Sequence, residues 1–170
     1  MENVLARSGG LTASLERPRA IDTILYGGLT VGILDGSYAV ISSYLKSGVM
    51  PSRVFLYIAS GLLGRDAFAG GPATVLLGVL LHFFIAFCVA AVLYAASQKL
   101  PMLIQRPWLW GPIYGVAVYF VMQFIVVYIS AAPPLRGGRT WWSVLNGMIV
   151  HALLVGLPPA LYARRSVKQR

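Results

Sequence analysis

Four long apolar stretches alternate with shorter segments that hold most of the polar and charged positions of the chain. A helix needs about 20 mainly apolar residues to cross the hydrocarbon core of a bilayer. Stretches of this length lie over about residues 21–45, 74–97, 108–130 and 141–163. The pattern therefore predicts an all-α polytopic membrane protein with four transmembrane helices.

The segments between these stretches define the rest of the predicted architecture. Short joints separate the last three stretches, and short loops favour antiparallel neighbours. We therefore expect one four-helix bundle over residues 21–163, a cytoplasmic N-terminal tail over residues 1–20 and a basic cytoplasmic C-terminal tail over residues 164–170. Residues 51–64 are too few to cross a bilayer and too apolar to lie free in water, so they predict a short interfacial or re-entrant helix between the first and second spans.

Composition indicates the same class of protein. Hydrophobic residues make up 58% of the chain and charged residues 11%, against about 45–50% and about 25% in soluble domains. These proportions exclude an ordinary soluble globule and a disordered chain, so the lipid bilayer is the predicted partner. The formal charge of +9 does not indicate nucleic-acid binding, because the basic residues lie at the termini and between apolar stretches.

The basic residues also predict an orientation in the membrane. With both termini in the cytoplasm, nine of the 14 Lys and Arg residues lie inside and five lie outside, as the positive-inside rule favours. The five outer residues are Lys46, Arg53, Arg65, Arg136 and Arg139. Residues 1–20 lack the short apolar core of a removable signal peptide. We expect a multi-pass protein of the inner (plasma) membrane with both termini cytoplasmic.

Three glycines in the first span predict a packing face. Gly28, Gly32 and Gly36 recur every four residues, so they lie on one side of a helix. Small residues there let another helix approach closely, and this is how membrane helices pack tightly. We expect the face to pack inside the bundle, and homodimerisation through it stays open.

Ionisable side chains within the predicted spans are the main candidates for function. Asp35, His82 and His151 lie near the middle of the first, second and fourth stretches. A charged side chain there costs at least about 2.5–3.5 kcal/mol, so we expect all three to face the bundle interior. Gln123 and Asn146 are the other buried polar candidates. Together these residues predict a polar layer at the bilayer midplane.

Two interpretations of this layer remain open. In the first, the histidines and Asp35 hydrogen-bond one another and fix the register of the helices. In the second, they relay protons or ions, because intramembrane Asp and His residues often mark such pathways.

No pattern in the chain indicates a cofactor, a metal site or catalysis. A glycine stands four residues before each histidine, at Gly78 and Gly147, and leaves room for a flat ligand such as a bis-histidine haem. No further haem signature follows, and the single Cys88 forms no zinc motif with the histidines. The phosphate-binding, nucleophile-elbow and zinc-protease motifs do not occur in the sequence. We therefore expect no enzyme, no catalytic residue, no metal and no cofactor.

Several segments of the chain carry a resemblance to other proteins. These segments are Ile58-Ala59-Ser60-Gly61-Leu62-Leu63-Gly64, Gly70-Gly71-x-Ala73-Thr74, Leu81-His82-Phe83-x-Ile85-Ala86-Phe87, Gly115-x-x-Val118-Tyr119 and the late His151. They resemble small uncharacterised bacterial four-helix inner-membrane proteins and, more distantly, the YagU-like family. The resemblance implies a bacterial four-helix membrane protein and implies no activity.

Two functions follow as expectations. The first is translocation of a proton, an ion or a small solute through Asp35, His82 and His151. The alternative is a non-catalytic structural or accessory subunit, which packs through its glycine face against a larger membrane complex. An intramembrane enzyme is the weakest hypothesis, because the sequence shows no nucleophile paired with a base.

Overall fold

The computed structural model describes residues 18–134 and 140–168, and these residues contain helices and no strand. The helices are α1 (Asp22–Ser47), α2 (Pro51–Leu63), α3 (Gly71–Lys99), α4 (Met102–Gln105), α5 (Pro107–Ile129) and α6 (Trp141–Val167). A 3₁₀ turn, Gly64–Ala69, joins α2 to α3. Four helices, α1, α3, α5 and α6, are long and apolar enough to cross a membrane. The predicted fold class is therefore confirmed, including the short helix between the first two spans.

The structure describes only part of the two predicted tails. Residues 1–17 and 169–170 lie outside the described residues. The first residues of the predicted C-terminal tail belong to helix α6 instead. Two contacts extend the helix: Arg164 donates a hydrogen bond of 2.6 Å to the carbonyl of Gln105, and Ser166 is buried and accepts a 3.0 Å bond from the amide of Arg19. The start of α1 and the end of α6 therefore lie at the same end of the bundle.

The glycine face of α1 packs against α3 within the chain. A Cβ atom at Gly28, Gly32 or Gly36 would meet a side chain of α3 at 3.0 Å or less. The side chains concerned are Phe87, Phe83 and His82, in that order. The absence of a side chain at these glycines is what lets the two helices approach.

Helices α5 and α6 pack still more closely, with backbone against backbone. A Cβ atom at Gly115 would collide with the carbonyl group of His151, and one at Gly156 would collide with the carbonyl group of Gly111. Such contacts supply the van der Waals packing that holds membrane helices together. They also place the backbone around His151 directly against α5.

Two apolar clusters fill the middle of the bundle and the part nearer the termini. All four spans contribute to the first cluster, which consists of Val31, Ala86, Val118 and Val155. The second cluster consists of Leu93, Ile104, Ala160 and Ala163. Tyr114 packs against both, and its hydroxyl donates a 2.6 Å hydrogen bond to the carbonyl of Val89.

Three segments are π-helical: Asp22–Tyr26, Met122–Val126 and His151–Gly156. The sequence does not predict them.

Pro158 and Pro159 predict a bend or the end of the last span, but α6 continues through both. A proline lacks the N–H that would bond to the preceding turn. The wider π segment just before the prolines takes up this loss, and the helix therefore does not stop.

Candidate ligand-binding cavity

A cavity of about 270 Å³ lies inside the bundle, between the first apolar cluster and the end that holds α2. Its lining comes from all four spans and from the short helix α2. Most of the wall is apolar. The polar side chains in it are Asp35, Tyr57, His82, Gln123, Ser130 and His151.

The lining of the cavity extends along the bundle. One end of the lining lies at Ser130 and Ala132, where the amide of Ala131 donates a 3.0 Å hydrogen bond to the carbonyl of Gly61 in α2. At the other end, all four residues of the first apolar cluster belong to the lining. From Val118 to Ser130, α5 rises about 18 Å. The cavity therefore extends from the first apolar cluster toward the end of the bundle where α2 lies.

The ring of His82 is fixed on the backbone of α1. Its Nε2 lies 2.9 Å from the carbonyl oxygen of Gly32. Because a carbonyl oxygen only accepts, Nε2 carries the proton in this hydrogen bond, and in the neutral ring Nδ1 is then an acceptor. The approach requires glycine at position 36, where a Cβ atom would lie 2.9 Å from Nε2. Phe55 and Phe83 pack edge-on against the ring.

The ring of His151 is fixed through its other nitrogen. Nδ1 lies 3.0 Å from the carbonyl oxygen of Gly147, one turn earlier in α6, so Nδ1 donates and Nε2 of the neutral ring is an acceptor. Tyr119 packs edge-on against the imidazole, with 5.2 Å between ring centroids. The ring of Tyr119 occupies the space that a side chain at position 147 would need.

Asp35 is the polar residue that α1 contributes to the wall of the cavity. It lies near enough to His151 to act on the imidazole electrostatically. Within the described residues, however, it forms no hydrogen bond or ion pair with either histidine. The two rings bond to helix carbonyls instead, so the direct Asp–His hydrogen bonds of the register-lock interpretation are not formed.

Two π-helical segments supply polar residues to the cavity. Gln123 lies in the π segment of α5, and His151 begins that of α6. Such segments occur frequently at functional sites, because the extra residue turns side chains away from regular helical spacing. The Gln123 side chain and Tyr57 of α2 have further interactions with the protein. The Ser130 hydroxyl donates to the carbonyl of Val127 at 2.9 Å.

The cavity collects four of the five predicted polar residues: Asp35, His82, His151 and Gln123. Asn146 does not line it. The Asn146 side chain accepts a 2.8 Å hydrogen bond from the Tyr38 hydroxyl and so links α6 to α1 elsewhere. The location of the polar residues at the bilayer midplane stays a prediction.

The sequence did not predict which aromatic side chains and which short helix surround the polar residues of the cavity. Tyr119 is buried and supports His151, while Tyr57 brings α2 into the wall. The Gly-x-x-x-His pattern was the signal in the sequence that could have indicated these neighbours. The glycine of each copy accommodates a different group: Gly147 makes room for Tyr119, whereas Gly78 makes room for the backbone of Phe55 in α2.

The chemistry of the site is that of hydrogen-bond acceptors in an apolar wall. Asp35 and the two imidazoles, in the neutral form of each ring with its N–H group already used, offer lone pairs to a ligand. Among the described residues, no group of three or more His, Cys, Asp or Glu side chains comes together to hold a metal ion. The lone pairs of these side chains can accept a hydrogen bond or a proton.

Comparison with known proteins supplies no family for this chain. No family model matches it, no curated protein matches it, and no solved structure matches it. The class of the protein therefore rests on its own helices, which make it a multi-pass helical membrane protein with a cavity inside the bundle. The YagU-like resemblance stays a prediction.

Proposed function

We propose that this protein translocates a proton or a small protonated solute, with the cavity as its site inside the membrane. One observation carries the proposal: polar side chains from α1, α3, α5 and α6 converge on one cavity whose wall is mostly apolar. Buried ionisable groups are costly in a membrane, and they typically mark substrate or proton pathways.

The hydrogen bonds of the histidines support this function over a purely structural lock. Both imidazoles bond to backbone carbonyls, and the Asp35 carboxylate is left facing the cavity. A lock would satisfy these groups with one another, because an unsatisfied polar group in an apolar environment costs about 1–3 kcal/mol.

The apolar clusters favour a carrier over an open channel. They stand between the polar residues of the cavity and the end of the bundle that holds the start of α1. A solute in the cavity would cross only after these helices rearrange. Alternating access about a fixed central site is the usual solution in secondary transporters.

Flux measurements on reconstituted vesicles test the proposal. Under an imposed pH gradient, the wild-type protein is expected to move protons or solute faster than empty vesicles do, and Asp35→Asn and His82→Ala are each expected to reduce this flux. Asp66→Asn is the matched control, because Asp66 is exposed in the 3₁₀ turn and lies away from the cavity. Wild-type flux no greater than that of empty vesicles, together with lower thermal stability of the two cavity variants, would reject transport and leave a structural role.

A further inference from the structure

We infer that the cavity binds a small amphiphilic organic cation, with an ammonium group at Asp35 and a short alkyl chain along the apolar wall. The inference deepens the proposed function and rests on it for the cavity being a solute site. Three independent features support it: the type of polar atom, the charge of the lining, and the size of the apolar space.

The polar atoms near Asp35 select a hydrogen-bond donor. His82 donates through Nε2 to Gly32, and His151 donates through Nδ1 to Gly147. In the neutral rings the remaining nitrogens only accept, as the oxygens of a carboxylate do. An ammonium group carries three N–H donors and no acceptor, so it suits the Asp35 carboxylate and the other acceptors of the wall.

The charge of the lining selects a cation. Asp35 is the only acidic residue in the described wall of the cavity, and no Lys or Arg residue of the described chain lines it. An anionic ligand would meet a carboxylate with no compensating base. Attraction between opposite charges is several times stronger in a partly buried site than in water, so one carboxylate suffices to select the sign of the ligand.

The apolar wall selects a short hydrocarbon chain. Val31, Ile85, Val126 and Val155 lie around the cavity, one on each of the four spans. A volume of about 270 Å³ holds about nine water-sized units, which limits the ligand to about nine non-hydrogen atoms. Each buried methylene contributes about fourfold in affinity, so affinity should rise with chain length until the cavity is full.

Three probes of one length separate the head-group contributions. Isothermal titration of the protein in nanodiscs compares n-pentylammonium, 1-pentanol and pentanoate, with the heat of mixing into empty nanodiscs subtracted. We expect pentylammonium to bind at least tenfold more tightly than pentanol, and pentanoate not to bind. Propyl-, pentyl- and heptylammonium then test the fourfold gain per methylene.

A charge-removing variant assigns the selectivity to one residue. Asp35→Asn keeps the size of the side chain, and it should abolish the tenfold preference for pentylammonium over pentanol. Asp66→Asn removes the same charge outside the cavity and should keep the preference. If Asp35→Asn does not fold, the three probes on the wild-type protein decide the question.

The inference is overturned if pentanol binds as tightly as pentylammonium, if the preference survives Asp35→Asn, or if none of the probes binds. Its failure is distinct from failure of the proposed function. Ammonium binding without flux would reject transport and keep the ligand class. Proton flux without ammonium binding would keep transport and reject the ligand class.

Discussion

At the scale of single residues, glycines position the polar groups of the cavity. His82 reaches the Gly32 carbonyl only because position 36 has no side chain, and the absence of a side chain at Gly147 gives Tyr119 room beside His151. Gly36, which the sequence predicts as a packing position, thus also allows the hydrogen bond of His82. Packing and chemistry therefore depend on the same small residues.

Gly115→Ala should destabilise the protein, because a methyl group there would collide with the backbone carbonyl of His151. A backbone atom inside a packed helix pair cannot turn away as a side chain can. Overpacking typically costs about 1–3 kcal/mol, and replacing a helical glycine with alanine recovers about 1 kcal/mol. We expect a net loss of up to about 2 kcal/mol, measured as a lower midpoint of thermal unfolding in detergent.

Gly61→Ala is the matched control for this prediction. Gly61 is also helical, but a Cβ atom there would lie 3.8 Å from the Cβ of Ser130, which is an ordinary van der Waals contact. Its stability should stay unchanged or rise by up to about 1 kcal/mol. Equal behaviour of the two variants would contradict the close approach of α5 and α6.

At the scale of helices, α2 is held by contacts that lie far apart in sequence. Its ends are turned by Gly48 and Gly64, whose φ angles are 63° and 61°, a region that other residues rarely adopt. Its position on the bundle depends on Gly78, where the backbone of Phe55 takes the place of a side chain, and on the hydrogen bond from Ala131. These contacts make α2 a wall of the cavity.

Gly78→Ala should therefore loosen α2 and open the end of the cavity that it borders. The measurement is the rate at which a membrane-impermeant maleimide labels Ser130→Cys in a Cys88→Ala background, and we expect the rate to rise several-fold. Leu76→Ala, on the same helix but with a side chain that is 58% exposed, should leave the rate unchanged. An unchanged rate in a folded Gly78→Ala variant would show that this contact does not hold α2.

The four spans and α2 could be predicted because hydropathy and length act locally along the chain. The convergence of Asp35, His82 and His151 was also accessible, since each group is costly in lipid and each lies near the middle of its span. The partner of Asn146 could not be predicted, because Tyr38 meets it only through the packing of α6 on α1. The same holds for the choice of ring nitrogen, which depends on carbonyls that the fold brings together.

At the scale of the whole molecule, the two ends of the bundle differ in character. The start of α1 and the end of α6 meet at one end, where Arg19 and Ser166 are hydrogen-bonded and the apolar clusters fill the interior. The other end holds α2 and the Ser130 side of the cavity. The orientation of the chain in the membrane therefore decides from which side a solute enters.

We expect the cavity end to face the outside of the cell, because nine of the 14 Lys and Arg residues then lie on the cytoplasmic side. Single cysteines at two exposed positions test this in a Cys88→Ala background: Thr140→Cys at the start of α6 and Arg165→Cys near its end. An impermeant maleimide should label Thr140→Cys in intact cells, and should label Arg165→Cys only after the cells are opened. The opposite pattern would place the termini outside. The cavity would then take its solute from the cytoplasm, and the proposed carrier would begin its cycle as an exporter.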